Sequence, residues 1–194
     1  MKTPGYVVAL LLISVWLAGC IPGQSRVDGT LAQTIESEEG AVESFQLFSP
    51  AFEHKTKIPA RYTCSADDIS PELQWRDVPD GVQSFVLIMD DPDAPVGTWV
   101  HWILYNIPGE STGLPEGFSK NEELADGAIH GKNSGGKTYY NGPCPPSGTH
   151  RYFFKLYALD VTLDLPVGGT KPEVLKAIQG HMIGMAELMG TYSR

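Results

Sequence analysis

The sequence predicts an all-β protein, a β-sandwich with one short C-terminal helix. Three observations carry this. Ser84-Phe85-Val86-Leu87-Ile88-Met89 is a continuous apolar run, the pattern of a strand covered on both faces. Further aromatic and aliphatic runs recur along the chain, separated by clusters of proline and glycine that punctuate strands. No amphipathic helices alternate with these runs, so a sandwich is favoured over a parallel α/β sheet.

Taken in chain order, Ser44 to Phe48 and Leu73 to Trp75 are short strand candidates, and the run at Ser84 to Met89 follows. His101 to Ile107 alternates less cleanly but contains Trp102, Ile103, Leu104, Tyr105 and Ile107. Tyr152 to Leu159 is aromatic and aliphatic, interrupted only by Lys155. Thr170-Lys171-Pro172-Glu173 has the spacing of a capping box, with proline early in the first turn, and so opens a helix. Val174, Leu175, Ile178, Met182 and Met185 then recur on one helical face, read here as a core stripe. There is no internal repeat.

The chain divides into three parts. Residues 1–19 read as a lipoprotein signal peptide. Lys2 is the only charge before Arg26, and an apolar segment from about Tyr6 to Leu17 is short for a bilayer span, which takes about 20 residues. The segment ends in Leu17-Ala18-Gly19-Cys20, a lipobox in which Cys20 would receive the acyl chains that hold a protein at a membrane surface. Residues 20–42 are mostly polar, with three acids in Glu36-Ser37-Glu38-Glu39, and read as a flexible acidic tether. Residues 43–194 form the globular domain. The protein is therefore expected to be exported and anchored at the extracytoplasmic face of the cell envelope by its lipid alone.

Hydrophobic residues make up 42% of the chain, enough for an ordinary core. The net charge is −9, and loss of Lys2 with the signal peptide takes it to −10. An acidic chain without a basic cluster is a poor nucleic-acid binder. Gly131-Lys132-Asn133-Ser134-Gly135-Gly136-Lys137-Thr138 satisfies the phosphate-loop pattern letter for letter. That chemistry needs a helix after the loop. Here Tyr139-Tyr140-Asn141-Gly142-Pro143 follows, which cannot continue as one, so nucleotide binding is rejected.

Two loops carry the chemistry. Asp90-Asp91-Pro92-Asp93-Ala94-Pro95 leads through Gly97, Trp99 and His101, so that three acids, two prolines and a histidine fall in twelve residues. About fifty residues on, Gly142-Pro143-Cys144-Pro145-Pro146 leads through Ser147 and Gly148 to His150, Arg151 and Tyr152. Prolines hold such loops rigid, and rigid loops at strand ends are where binding groups sit. Two imidazoles converging on one cavity can donate hydrogen bonds to an anion, more strongly when protonated. Gly142 lets a backbone N–H approach a ligand, and Tyr152 adds a phenolic donor. A carboxylate beside an anion is repulsive, so Asp91 or Asp93 either orients a histidine and raises its pKa or receives the ammonium of a zwitterion.

These residues resemble the two motifs of the phosphatidylethanolamine-binding protein family, and the Gly-Pro-Cys-Pro-Pro wording and the ending Glu187 to Arg194 are similar to its bacterial and archaeal, Raf-kinase-inhibitor-like branch. The similarity runs from roughly Phe45 to Arg194. It implies that Asp91, His101, Gly142, His150 and Tyr152 line a small pocket for phosphate-like anions and phosphoethanolamine-type headgroups, with Asp93, Trp99 and Pro143 in supporting positions. His-x-x-x-His and Cys-x-x-Cys metal spacings are missing, so no cofactor or metal is expected unless histidine or aspartate ligands converge from distant loops. The resemblance also brings the expectation of a homodimer and of an inhibitor role, which for an exported protein would be directed at an extracytoplasmic protease rather than a cytosolic kinase. The alternative is a phosphoester hydrolase using His101, His150 and Asp91 as general acid and base. No Gly-x-Ser-x-Gly elbow is present to support acyl transfer.

With Cys20 lipidated, Cys64 and Cys144 remain. In an oxidising compartment they can form a disulfide that ties the second loop to the segment around Cys64, or stand as two separate buried thiols. His54, His130 and His181 have no motif context.

Overall fold

The computed structural model describes residues 44–194. The signal peptide, Cys20 and the tether lie outside the described residues. Among these residues the elements are β1 (Gln46–Phe48), a 3-10 turn at Ala60–Tyr62, β2 (Leu73–Arg76), β3 (Ser84–Asp91), β4 (Trp99–Pro108), β5 (Gly113–Leu114), β6 (Ile129–His130), β7 (Thr149–Leu159), α1 (Lys171–Ala177) and β8 (Met182–Ser193). They build two antiparallel sheets, β1-β2-β5 and β6-β4-β3-β7-β8. The expected sandwich is therefore present.

Strand β3 explains the architecture. Successive side chains of a strand point to opposite faces. Phe85, Leu87 and Met89 enter the core between the sheets, with Leu47, Trp75, Trp102, Leu104, Tyr152, Phe154 and Leu156. Val86 and Ile88 point the other way, into a second core with Ile103, Tyr105, Val174 and Ile178. A strand buried on both faces has no position for a polar residue, hence the unbroken apolar run. The same alternation separates the two acids at its end. Asp91 continues the inter-sheet face. Asp90 continues the helix-covered face, where Lys155 and Lys171, the first residue of α1, neutralise it.

Strand β4 is less regular, for a reason with consequences. Met89 lies opposite Trp102 and Asp90 opposite Val100, which leaves His101 as the extra residue of a β-bulge. Bulges re-aim side chains, often beside binding sites. The broken alternation seen in the sequence from His101 onward is this bulge. A second irregularity falls near Asn106, which adopts φ 56° and exchanges two hydrogen bonds with the backbone of Leu163.

The helix begins as expected. Thr170 and Glu173 form the capping box, with Pro172 in the first turn. It then stops at Ala177, and Gly180 takes φ 82°, a left-handed conformation that breaks the helical path. Met182 and Met185 are therefore not on the helix face. They belong to β8, which pairs with β7 along its whole length, and both are about half exposed. Residues Met182 to Met185 match a helical period by coincidence, and the pairing with β7 overrides it. Strand β7 begins at Thr149, so His150 stands at its start, where the second loop ends.

Candidate functional site

The two loops meet in one pocket at the end of the large sheet. It encloses about 260 Å³, between Asp91, Trp99, His101, Asn141 and His150 and an apolar rim that includes Ala94, Pro95, Val96, Cys144, Pro145 and Pro146. That is below the roughly 300–1,000 Å³ of drug-sized ligand sites, so it suits a small group. Strand β3 supplies Asp91, the β4 bulge supplies His101 and β7 supplies His150. All three are at least nine-tenths buried.

Each histidine has its tautomer set by an oxygen that can only accept. His150 Nδ1 donates to Asp91 Oδ2 at 2.7 Å. His101 Nδ1 donates to the Asn141 carbonyl at 2.6 Å. In both rings the proton is on Nδ1, and Nε2 is the nitrogen left for a ligand. Asn141 also donates its own N–H to the His101 carbonyl at 3.1 Å, so it holds that residue by ring and backbone together. Burial holds the His101 pKa below its ordinary value, opposed by the Asn141 bond and then by the charges of Asp91 and Asp68. The ring stands edge-on to Tyr152, with centroids 5.2 Å apart.

Tyr152 is fully buried and its hydroxyl meets no acceptor in hydrogen-bonding geometry. Burial raises its pKa, and the charge of Asp91 raises it further. Tyr152 is off the pocket lining, against expectation, and packs against the His101 ring instead.

Asp91 is an orienting group. Its Oδ2 holds His150, and its Oδ1 accepts the Asp93 N–H at 2.8 Å, which sets the turn that follows. Asp93 does not line the pocket. It accepts the Arg151 backbone N–H and both arms of the guanidinium, at 2.7–3.0 Å, and so clamps the first loop to β7. The Arg151 guanidinium holds the Asp93 carboxyl at about 2.

The second loop differs from its expected role at Gly142, while Pro143 keeps a supporting one. Gly142 N–H is occupied, donating to Asp68 Oδ1 at 2.7 Å. Its glycine identity has a steric cause: a Cβ there would stand 2.5 Å from the Tyr62 carbonyl and 2.6 Å from Asp68 Oδ1. Pro143 is not a wall residue but uses its carbonyl to accept the Cys64 N–H at 3.1 Å. Cys64 and Cys144 form a disulfide with Cα atoms 5.4 Å apart, the paired one of the two alternatives. Tyr140 completes the stitching by donating to the Tyr62 carbonyl at 2.6 Å.

Residues 133–137 of the rejected phosphate loop form a hydrogen-bonded turn. Asn133, 5% exposed, reaches the carbonyls of His101 and Tyr139, and Ser134 bonds Val100. The loop braces the β4 bulge. Sequence reasoning missed Asn141, Asp68 and the apolar rim. Asp68 carried one signal, an acid in the turn-rich segment after Cys64. Among the described residues, no three His, Cys, Asp or Glu side chains converge as a metal cage requires.

Comparison with known proteins agrees with this architecture. The family model described as phosphatidylethanolamine-binding protein matches residues 48–193. The chain is 52% identical over 148 residues to a UPF0098 protein of Methanothermobacter thermautotrophicus, covering 76% of this chain and 98% of that one. It is 40% identical over 193 residues to a UPF0098 protein of Pyrococcus abyssi, covering 97% and 98%. Among solved structures, a putative phosphatidylethanolamine-binding protein homologue of Chlamydia trachomatis aligns with TM-score 0.73 at 44% identity, covering 78% of this chain and 98% of that one. YbcL of E. coli, described as a member of the mammalian family, aligns with TM-score 0.71 at 31% identity, covering 78% and 99%. A two-sheet fold with a histidine-lined pocket at one sheet end, matched over three quarters of its length, places the chain in the phosphatidylethanolamine-binding protein family. Within that family it is a protein of the UPF0098 group.

Proposed function

We propose that this protein is an exported lipoprotein whose sandwich domain binds a small phosphate-type anion, with His101 and His150 as the donors. The observation that carries the reading is the pair of buried histidines in one pocket, each with Nδ1 engaged by a fixed acceptor and Nε2 left over. A phosphoethanolamine-like headgroup would be held through its phosphate, because both Asp91 oxygens are already engaged within the protein. The apolar rim of Ala94, Pro95, Val96, Pro145 and Pro146 accommodates a carbon substituent on that phosphate. The family's description supports a phosphate-bearing ligand. The Cys64–Cys144 disulfide supports an oxidising, extracytoplasmic compartment.

No serine, threonine or free thiol lines the pocket, its cysteine being tied up in the disulfide; a hydrolase would have to use an imidazole Nε2 or an activated water as its nucleophile, a step the binding reading does not need. Millimolar phosphate or phosphoethanolamine should raise the melting temperature of the purified protein. An unchanged melting curve would count against the anion pocket. Turnover of aryl phosphates, lost in His101→Ala and His150→Ala, would favour the hydrolase instead. For the anchor, Cys20→Ser should move the protein out of the membrane fraction, and retention there would defeat the lipobox reading.

A further inference from the structure

We propose that Asp68 is a positioning residue for His101, acting through the Asn141–Gly142 peptide. The two contacts that define this relay lie on a single peptide unit. The Gly142 N–H donates to Asp68 Oδ1 at 2.7 Å, and the Asn141 C=O accepts from His101 Nδ1 at 2.6 Å. The described backbone contains no cis peptide, so this unit is trans and its N–H and C=O point in opposite directions. The carboxylate therefore sits at the positive end of the peptide dipole and the imidazole at its negative end. Chains of this kind polarise each link, so a charge at Asp68 strengthens the carbonyl as an acceptor for His101.

The surroundings are built to hold that line. Asp68 adopts φ 52°, a left-handed conformation that Asp and Asn tolerate better than other side chains. Glycine at 142 is what allows the carboxylate to approach, since a Cβ would collide with it. The disulfide, the Cys64 to Pro143 bond and the Tyr140 to Tyr62 bond fix the two segments on either side. The pocket thus has two carboxylate-backed histidines: Asp91 backs His150 directly and Asp68 backs His101 at one peptide's remove. The groups facing His101 are Asp91 from β3, His150 and Tyr152 from β7, and Asp68 from the segment between Cys64 and β2.

The consequence is proton-linked anion uptake with Asp68 setting part of its pH range. That effect on ligand binding rests on the anion reading above. The effect on His101 itself does not. Asp68→Asn keeps an acceptor oxygen and a residue that tolerates the left-handed conformation, and removes only the charge. NMR titration of the histidine rings should then show the His101 midpoint falling by about 0.5 pH or more, with its Nδ1–H tautomer retained. The pH below which sulfate stabilises the protein should fall with it. Asp68→Ala should in addition lose the tautomer preference. If the His101 midpoint in Asp68→Asn matches wild type, the relay is wrong, whether or not sulfate binds. If sulfate stabilises neither protein but the midpoint moves, the relay stands and the anion reading fails. In wild type the Gly142 amide resonance should move as His101 titrates. A Gly142 amide that ignores that titration overturns the proposal, even if the variants fail to fold.

Discussion

Asp91 shows how a single residue sets the chemistry of this pocket. A carboxylate at the wall of an anion site repels its ligand, unless its charge is committed elsewhere. Here it is committed to His150 and to the Asp93 N–H. Asp91→Ala leaves a buried imidazole N–H without its partner, which should cost about 1–3 kcal/mol of stability in chemical denaturation. It should also weaken sulfate binding, because His150 loses its fixed tautomer. Asp93→Ala removes a partly exposed pair with Arg151 and should cost only about 0–1 kcal/mol. The difference between these neighbouring acids follows from their burial. Asp91, His101 and His150 were legible in the sequence because prolines and glycines frame them locally. Asn141 and Asp68 were not, because their role depends on a backbone peptide whose direction no local pattern reveals. Gly142 was recognised as special for the wrong reason: it admits a carboxylate rather than a ligand.

At the scale of elements, two devices shape the pocket. The β4 bulge turns His101 toward Tyr152, and the Asn133–Lys137 turn braces it from behind. The disulfide joins segments 80 residues apart and fixes the loop that carries Asn141. In the chain-entropy model a closure of that length contributes about 4–5 kcal/mol. Reduction with a dithiol should therefore lower the melting temperature markedly, and sulfate stabilisation should be lost in parallel as the second loop is released. A reduced protein that melts and binds as before would show that the loop is held by its hydrogen bonds alone. Gly142→Ala should be destabilising by about 1–3 kcal/mol through overpacking against Tyr62 and Asp68. Strands β3, β4 and β7 and the capping box of α1 were legible, since apolar runs and caps are local signals. The end of α1 was not. The methionines after Gly180 fit a helical period as well as a strand, and only pairing with β7 decides between them.

For the whole molecule, protonation and anion binding act in opposite directions on stability. His101 and His130 are buried, and burial holds both below the ordinary histidine value of 6.5. The unfolded chain then binds more protons than the folded one between those lowered values and 6.5, so stability rises with pH across that window. Without ligand, the protein should lose stability as pH falls through 6.5, and lose more below about 4 as Asp93 protonates toward its value of about 2. A bound anion favours the charged form of His101, so the stabilisation it provides should grow over the same fall in pH. Sulfate is the clean probe, because its charge is constant from about pH 5 to about pH 8 while His101 titrates. The most direct measurement is the sulfate-induced rise in melting temperature at about pH 6 and about pH 8, for wild type, His101→Ala and His150→Ala. A larger rise at the lower pH, abolished in both variants, is the outcome expected of an anion site in which a protonated His101 acts together with His150. A rise independent of pH, or one that persists in either variant, would contradict it.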